Sequence, residues 1–231
     1  MKATSFTLAI CAAALVIAAP AANAIGLGQI DDFQNGTTMG WGNPANTTSW
    51  VASGGPAGAS DSFMRLTATG GGGPGSRLTV QNFSQWIGNY ISQGVTAIQV
   101  DLRNEGNTDL SIRLAFKQEA QFSSNGYLSQ AVLLPVGSGW QTFSFSLAPE
   151  NMIAIGGPLP YATFFSTGGF EEMRFIHHVG ATNLAGDPVV GIIGIDNILA
   201  VPEPTTTALL AGAFLALGVR YVRGKRAAAD R

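Results

Sequence analysis

Apolar and polar residues alternate at period two through much of the chain. Met64, Leu66 and Ala68 alternate with Arg65 and Thr67, and Ile98, Val100 and Leu102 share one face of the segment 95–103. Leu110, Ile112, Leu114 and Phe116 alternate with Ser111, Arg113, Ala115 and Lys117. Phe143, Phe145 and Leu147 alternate with serines, Met173, Phe175 and His177 oppose Arg174, Ile176 and His178, and Ile193, Ile195, Asn197 and Leu199 oppose Ile192, Gly194, Asp196 and Ile198. Alternation over five to nine residues predicts strands with one face buried. Helical periodicity is weak, with short helical or irregular stretches expected at 85–92 and 149–155. Asn104-Glu105-Gly106-Asn107 predicts a hairpin between the strands at 95–103 and 109–118, and the glycine run 70–75 predicts a flexible loop. Eight or nine strands are expected. They suit an all-β domain over 25–200, a two-sheet antiparallel β-sandwich of jelly-roll type.

Two segments break this pattern. Residues 1–24 join a basic start at Lys2, an apolar run from Phe6 to Ala19 and the triplet Ala22-Asn23-Ala24, which together predict a secretory signal peptide. At the other end, Pro202-Glu203-Pro204 precedes an apolar stretch over 205–222 and the basic cluster Arg220, Arg223, Lys225 and Arg226. The prolines would stop the preceding strand. As a helix, 205–222 would be about 27 Å long, enough to cross a bilayer, with the basic tail on the cytoplasmic side.

This ending, over 201–226, resembles the PEP-CTERM sorting signal of exopolysaccharide-producing Gram-negative bacteria. Three parts occur in the family's order: Pro-Glu-Pro, a short Ala/Leu/Gly-rich helix, and Arg/Lys. The motif is followed here by Thr205-Thr206-Thr207, where Ser-Thr is more usual. The resemblance implies export, transient inner-membrane anchoring, processing by an exosortase near the motif, and a final place at the cell surface or in the extracellular matrix.

Charge narrows the partners. Between 25 and 204 there are six basic residues and 13 acidic ones, a balance of −7, which argues against nucleic acid. The sole cysteine, Cys11, lies within the leader, so a processed chain would carry no disulfide and no cysteine-ligated zinc. There is no G-x-S-x-G elbow and no H-E-x-x-H, and no spacing singles out a catalytic carboxylate pair. No catalytic residue is assigned. His177 and His178, adjacent on a strand, should point to opposite faces and cannot share a metal.

The order of elements also resembles that of carbohydrate-binding jelly rolls. Those domains open with an acidic residue beside an aromatic, here Asp31-Asp32-Phe33, continue with a strand like Asp61 to Leu66, and close with a strand carrying an Asp, here Ile195-Asp196-Asn197-Ile198. The resemblance implies first and last strands side by side and a structural calcium ion between them, with Asp32 and Asp196 supplying carboxylates. Exposed indoles can stack on sugar rings. Trp41 and Trp50, in the loop-like stretch from Gly40 to Trp50, are the candidates for this. The expectation is a non-enzymatic extracellular protein with a structural or adhesive role in an exopolysaccharide or biofilm matrix. The alternatives are a carbohydrate-binding module and a polysaccharide-active enzyme.

Overall fold

The structure is a computed structural model and describes residues 25–202, apart from 46, 74, 120–123 and 167. The leader, the chain from Glu203 onward and the basic cluster at Arg220, Arg223, Lys225 and Arg226 lie outside the described residues. No helix among the described residues is long and apolar enough to cross a membrane.

In chain order the strands are β1 (Ile30–Asp31), β2 (Thr48–Val51), β3 (Phe63–Thr69), β4 (Thr79–Asn82), β5 (Ala97–Asn104), β6 (Leu110–Lys117), β7 (Gly126–Ser129), β8 (Val132–Leu134), β9 (Gln141–Ser146), β10 (Met152–Ile155), β11 (Glu172–His177) and β12 (Val190–Val201). Two short helices, α1 (Tyr90–Gln93) and α2 (Tyr161–Ser166), interrupt them. The strands form two antiparallel sheets, as the alternation predicts. The first runs β2-β3-β12-β5-β9 with β1 added to β12, and the second runs β10-β7-β6-β11-β4 with β8 added to β6. All recorded strand pairs are antiparallel.

The long strand β12 organises the first sheet. On one edge its first half pairs β3, from Val190 to Ile195, and its second half pairs β1 at Ile198 and Leu199. On its other edge it pairs β5 along its length, with a register shift between Asp196 and Leu199. Asn197 sits at that shift with φ 49°, a left-handed conformation that Asn tolerates better than most residues. The first and last strands are therefore neighbours, as the jelly-roll resemblance implies.

The segment 104–107 does not close a hairpin. β5 lies in the first sheet and β6 in the second, so the chain arches across the core between them. The reason is packing. The apolar faces Ile98/Val100/Leu102 and Leu110/Ile112/Leu114 are both fully buried, and they meet across the sandwich rather than side by side. Asn104 holds the arch: its Nδ2 donates to Thr108 O at 2.9 Å and Leu134 O at 3.0 Å, and its Oδ1 accepts from Gly106 N at 2.9 Å.

One end of the core is aromatic. Phe164 and Phe165 from α2 pack with Phe116, Tyr90 and Phe170, with ring centroids 5.0 to 5.9 Å apart, mostly tilted or edge-on as ring quadrupoles favour. The expected irregular stretch at 85–92 ends in α1, capped by Asn89 Oδ1 accepting from Ser92 N and stopped by Gly94 at φ 69°. The stretch at 149–155 becomes a 3-10 turn followed by β10.

At the same end lies a buried carboxylate. Asp31 is 2% exposed, and its Oδ2 accepts from Trp41 Nε1 at 2.7 Å, Trp86 Nε1 at 2.6 Å and Gln85 Nε2 at 3.1 Å. Burial raises the pKa of Asp31 above its ordinary value, against the lowering effect of these three donors. Removing the acceptor leaves two buried indole N–H groups unpaired. Asp31→Ala should therefore destabilise the domain by about 3–5 kcal/mol in urea unfolding, and Asp31→Asn, which keeps a carbonyl acceptor, by clearly less. Equal losses for both variants would show that the acceptor is not what matters.

Candidate functional site

The outer face of the second sheet carries a cleft of about 470 Å³, within the range of small-ligand sites. Its floor comes from three adjacent strands. Gln81 of β4 is opposite Arg174 of β11, and Glu172 of β11 is opposite Lys117 of β6. Because side chains alternate, Thr79 and Gln81, Glu172 and Arg174, and Lys117 all project from the same side of the sheet. The walls are loops: Asn43 and Pro44 on one side, Gly72, Gly75 and Arg77 on another, and Asn183 to Ala185 on a third, with Ser124 at the rim.

Electrostatics dominate this floor. Glu172 is fully buried and pairs with Arg174 through Nε and Nη2, while Lys117 Nζ lies 3.6 Å from its other oxygen. Arg174 also donates to Leu184 O at 3.2 Å and Gln81 Oε1 at 3.3 Å, which fixes the plane of its guanidinium. Lys117 is pulled below the ordinary lysine value by burial and by the Arg174 charge, against the pull of Glu172. Arg77 stands at the rim, donating to Gly72 O at 3.1 Å and Gly186 O at 2.9 Å. The described residues lining the cleft thus include three cations, several amides and hydroxyls, no aromatic ring and no carboxylate.

Beside the cleft, the loop after β11 is pinned by histidine. His178 Nε2 accepts from Thr182 N at 3.1 Å and Asn183 N at 3.4 Å, so its proton resides on Nδ1, 2.9 Å from Asp187 Oδ2. His177 Nδ1 instead accepts from Ser111 N at 3.0 Å. The two rings serve different segments, as alternation on a strand requires.

The two tryptophans singled out by sequence lie elsewhere. Trp41 is 2% exposed and packs against Trp86 and Phe175 at centroid distances of 6.2 and 5.4 Å. It is a core residue held by Asp31 and presents no face to a sugar, which corrects the expectation from its glycine-rich surroundings. Trp50 is 38% exposed on the edge strand β2 of the opposite sheet, its Nε1 donating to Phe33 O at 2.8 Å.

The outer face of the first sheet is closed by the loop 52–62. Gly54 O accepts from Trp140 Nε1 at 2.9 Å and Arg103 Nη1 at 3.1 Å, and the Arg103 guanidinium lies over the Trp140 and Phe63 rings. Glu105 pairs with Arg65 and Arg103. Beneath the loop, Asp196 is fully buried. Its Oδ1 accepts from Asn197 N at 2.7 Å, while Oδ2 has no hydrogen-bond partner. A Cβ on Gly55 would lie 2.5 Å from Asp61 Oδ2 and 3.1 Å from Asp196 Oδ2, so the backbone here comes close to both carboxylates. Asp32 contributes its charge at this place, and its Oδ1 accepts from Gln34 N at 3.2 Å. Among the described residues, no three His, Cys, Asp or Glu side chains are grouped so as to hold a metal unaided.

No protein-family model and no curated protein sequence matches the chain. Solved structures do. A family 11 carbohydrate-binding module from Clostridium thermocellum in complex with a β-1,3-1,4-mixed-linked tetrasaccharide superposes with a TM-score of 0.50 at 14% identity, covering 78% of this chain and 98% of that one. The family 11 module of the cellulosomal cellulase Lic26A-Cel5E of the same organism gives 0.51 at 14% identity, covering 78% and 97%. An exo-β-agarase gives 0.52 at 12% identity, covering 78% of this chain and 25% of the enzyme. At these identities the likeness is one of fold, and the fold is that of carbohydrate-binding-module β-sandwiches.

Asp196 makes the acidic site measurable. Burial, opposed by the Asn197 N–H and reinforced by the charges of Asp61, Asp101 and Asp32, pushes its pKa up to about 7. The folded state therefore holds this proton more tightly than the unfolded chain does. The associated stability is complete below the ordinary carboxylate pKa and is lost as pH rises through about 7. In chelator, Asp196→Asn should melt close to the parent protein near pH 4 and increasingly above it towards pH 8. Parallel melting profiles across that interval would contradict the assignment.

Proposed function

We propose that residues 25–200 form a glycan-binding, non-catalytic domain, and that its binding surface is the cleft on the outer face of the second sheet. The observation that carries this reading is the cleft itself. Donors from β4, β6 and β11 converge in one cavity on a domain whose fold matches carbohydrate-binding modules, one of them solved with a tetrasaccharide. Amides, hydroxyls and guanidinium groups suit sugar hydroxyls. A binding rather than hydrolytic role is favoured because no carboxylate among the described residues lines the cleft, and glycoside hydrolysis needs two facing ones.

Gly72 offers a clean test, since a Cβ added there meets nothing within 4 Å. Gly72→Trp should fill the cleft and abolish retention on the host's extracellular polysaccharide in affinity electrophoresis, with the melting temperature unchanged. Trp50→Ala should leave retention intact. The reverse pattern would move the binding surface to the first sheet.

The first sheet suits a structural calcium ion. Asp196 and Asp61 would hold it, with Asp32 nearby and backbone carbonyls completing the six to eight oxygens that calcium takes. The support is the unpartnered, buried Oδ2 of Asp196 beside Asp61 and the close backbone at Gly55. Calcium should raise the melting temperature at pH 7.5, EDTA should reverse the gain, and Asp196→Asn should not respond. A calcium-indifferent parent protein would remove the ion from the account.

The ends give the setting. With its leader and its Pro202-Glu203-Pro204 ending, the protein is exported, passes through a transient inner-membrane stage as an exosortase substrate, and serves a structural or adhesive role at the cell surface or in the exopolysaccharide matrix of a Gram-negative bacterium. Mass spectrometry of the exported protein should find a C-terminus near Pro204. An intact chain through Arg231 would contradict processing.

A further inference from the structure

We infer that the glycan held in this cleft is acidic, a polysaccharide whose sugars carry carboxylate or sulfate groups. This rests on the glycan-binding reading and specifies its ligand. The first argument is charge placement. The segment 25–204 is net −7 and has six cations, yet three of the six, Arg77, Lys117 and Arg174, line one cleft that no carboxylate among the described residues lines.

The second argument is the buried pairing below it. Glu172 supplies one negative charge to two recessed cations, Arg174 and Lys117, and Arg77 pairs with no carboxylate among the described residues. A recessed excess of positive charge is costly to hold out of water, and an incoming anion offsets that cost. The arginine pair on the first sheet differs in this respect. Arg65 and Arg103 share Glu105 and lie on the same face as Asp101 and Asp196, so that face already holds its counter-charge.

The third argument is the want of an aromatic platform. A neutral sugar is gripped largely by stacking its C–H face on an aromatic ring. No described residue of this cleft supplies such a ring. What the cleft offers instead is the guanidinium of Arg77, held at Nε and Nη1 by the carbonyls of Gly72 and Gly186 with N–H groups left over for a carboxylate or sulfate edge, backed by the charges of Lys117 and Arg174. Asn43, Thr79 and Ser124 remain for hydroxyls around the anionic group.

The experiment is calorimetric titration of the exported protein with polygalacturonate, with the same polymer after carboxyl reduction, with dextran sulfate and with a neutral mixed-linkage β-glucan. The expected result is binding to a charged polymer that weakens about tenfold or more on carboxyl reduction or between 50 and 300 mM salt, as screened ion pairs require. Arg77→Glu should lose a similar factor with an unchanged melting temperature. Preference for dextran sulfate over polygalacturonate would support the inference and assign the anion as sulfate; the opposite preference would support it and assign carboxylate. Equal, salt-insensitive binding to charged and reduced polymers would overturn the inference and leave the glycan reading standing. Binding to none of the four would overturn both.

Discussion

A single carboxylate oxygen fixes the geometry at one end of this sandwich. Asp31 comes from β1, which is attached to the first sheet through β12, whereas Gln85 and Trp86 follow β4 of the second and Trp41 precedes Gly42, which bridges to Gln81 of β4. Three donors converging on one buried acceptor therefore tie the two layers together. The arrangement is expensive to bury, since desolvation raises the pKa of Asp31, and it is tolerated because losing the acceptor leaves two indole N–H groups unpaired in the core. Trp41 then packs on Phe175 of β11, the strand that also carries Arg174 towards the cleft. Core anchoring and cleft geometry share one strand, with alternate residues assigned to each.

The two outer faces use similar chemistry to opposite ends. On the first sheet, Glu105 and its two arginines are capped by Trp140 and by the carbonyl of Gly54, and the loop 52–62 closes the face. On the second, Lys117 and Arg174 line an open cavity, with Glu172 buried beneath them. The buried glutamate holds the guanidinium plane there, and in the proposed binding role it would act as a positioning residue. Such pre-organisation lowers the ordering cost of binding.

Much of the fold is legible in the sequence because one face of each long strand is buried. The alternations at 64–68, 95–103, 110–117 and 173–178 correspond to β3, β5, β6 and β11. The short strands β2, β7, β8 and β10 carry too few residues to show a period, and α2 is a single aromatic-rich turn and a half. The arch at 104–107 reads as a hairpin because Asn and Gly mark a turn without saying which sheet follows it. The site is less legible. Arg174 and Lys117 are visible as polar positions on their strands, but nothing local reveals that β4, β11 and β6 are adjacent, so Gln81, Arg174 and Lys117 cannot be seen to converge. Trp41 misleads for the converse reason: its glycine-rich neighbours suggest a surface loop, while the acceptor that draws it inward sits ten residues upstream.

The pairing of β1 with β12 also settles how the domain can be presented. Gly28 N donates to Ala200 O, so the chain enters and leaves at nearly the same corner, on the first sheet. The charged cavity opens from the outside of the other layer. A domain hung from that corner would keep this cavity pointing away from its point of suspension, so that whatever holds the domain does not block the opening.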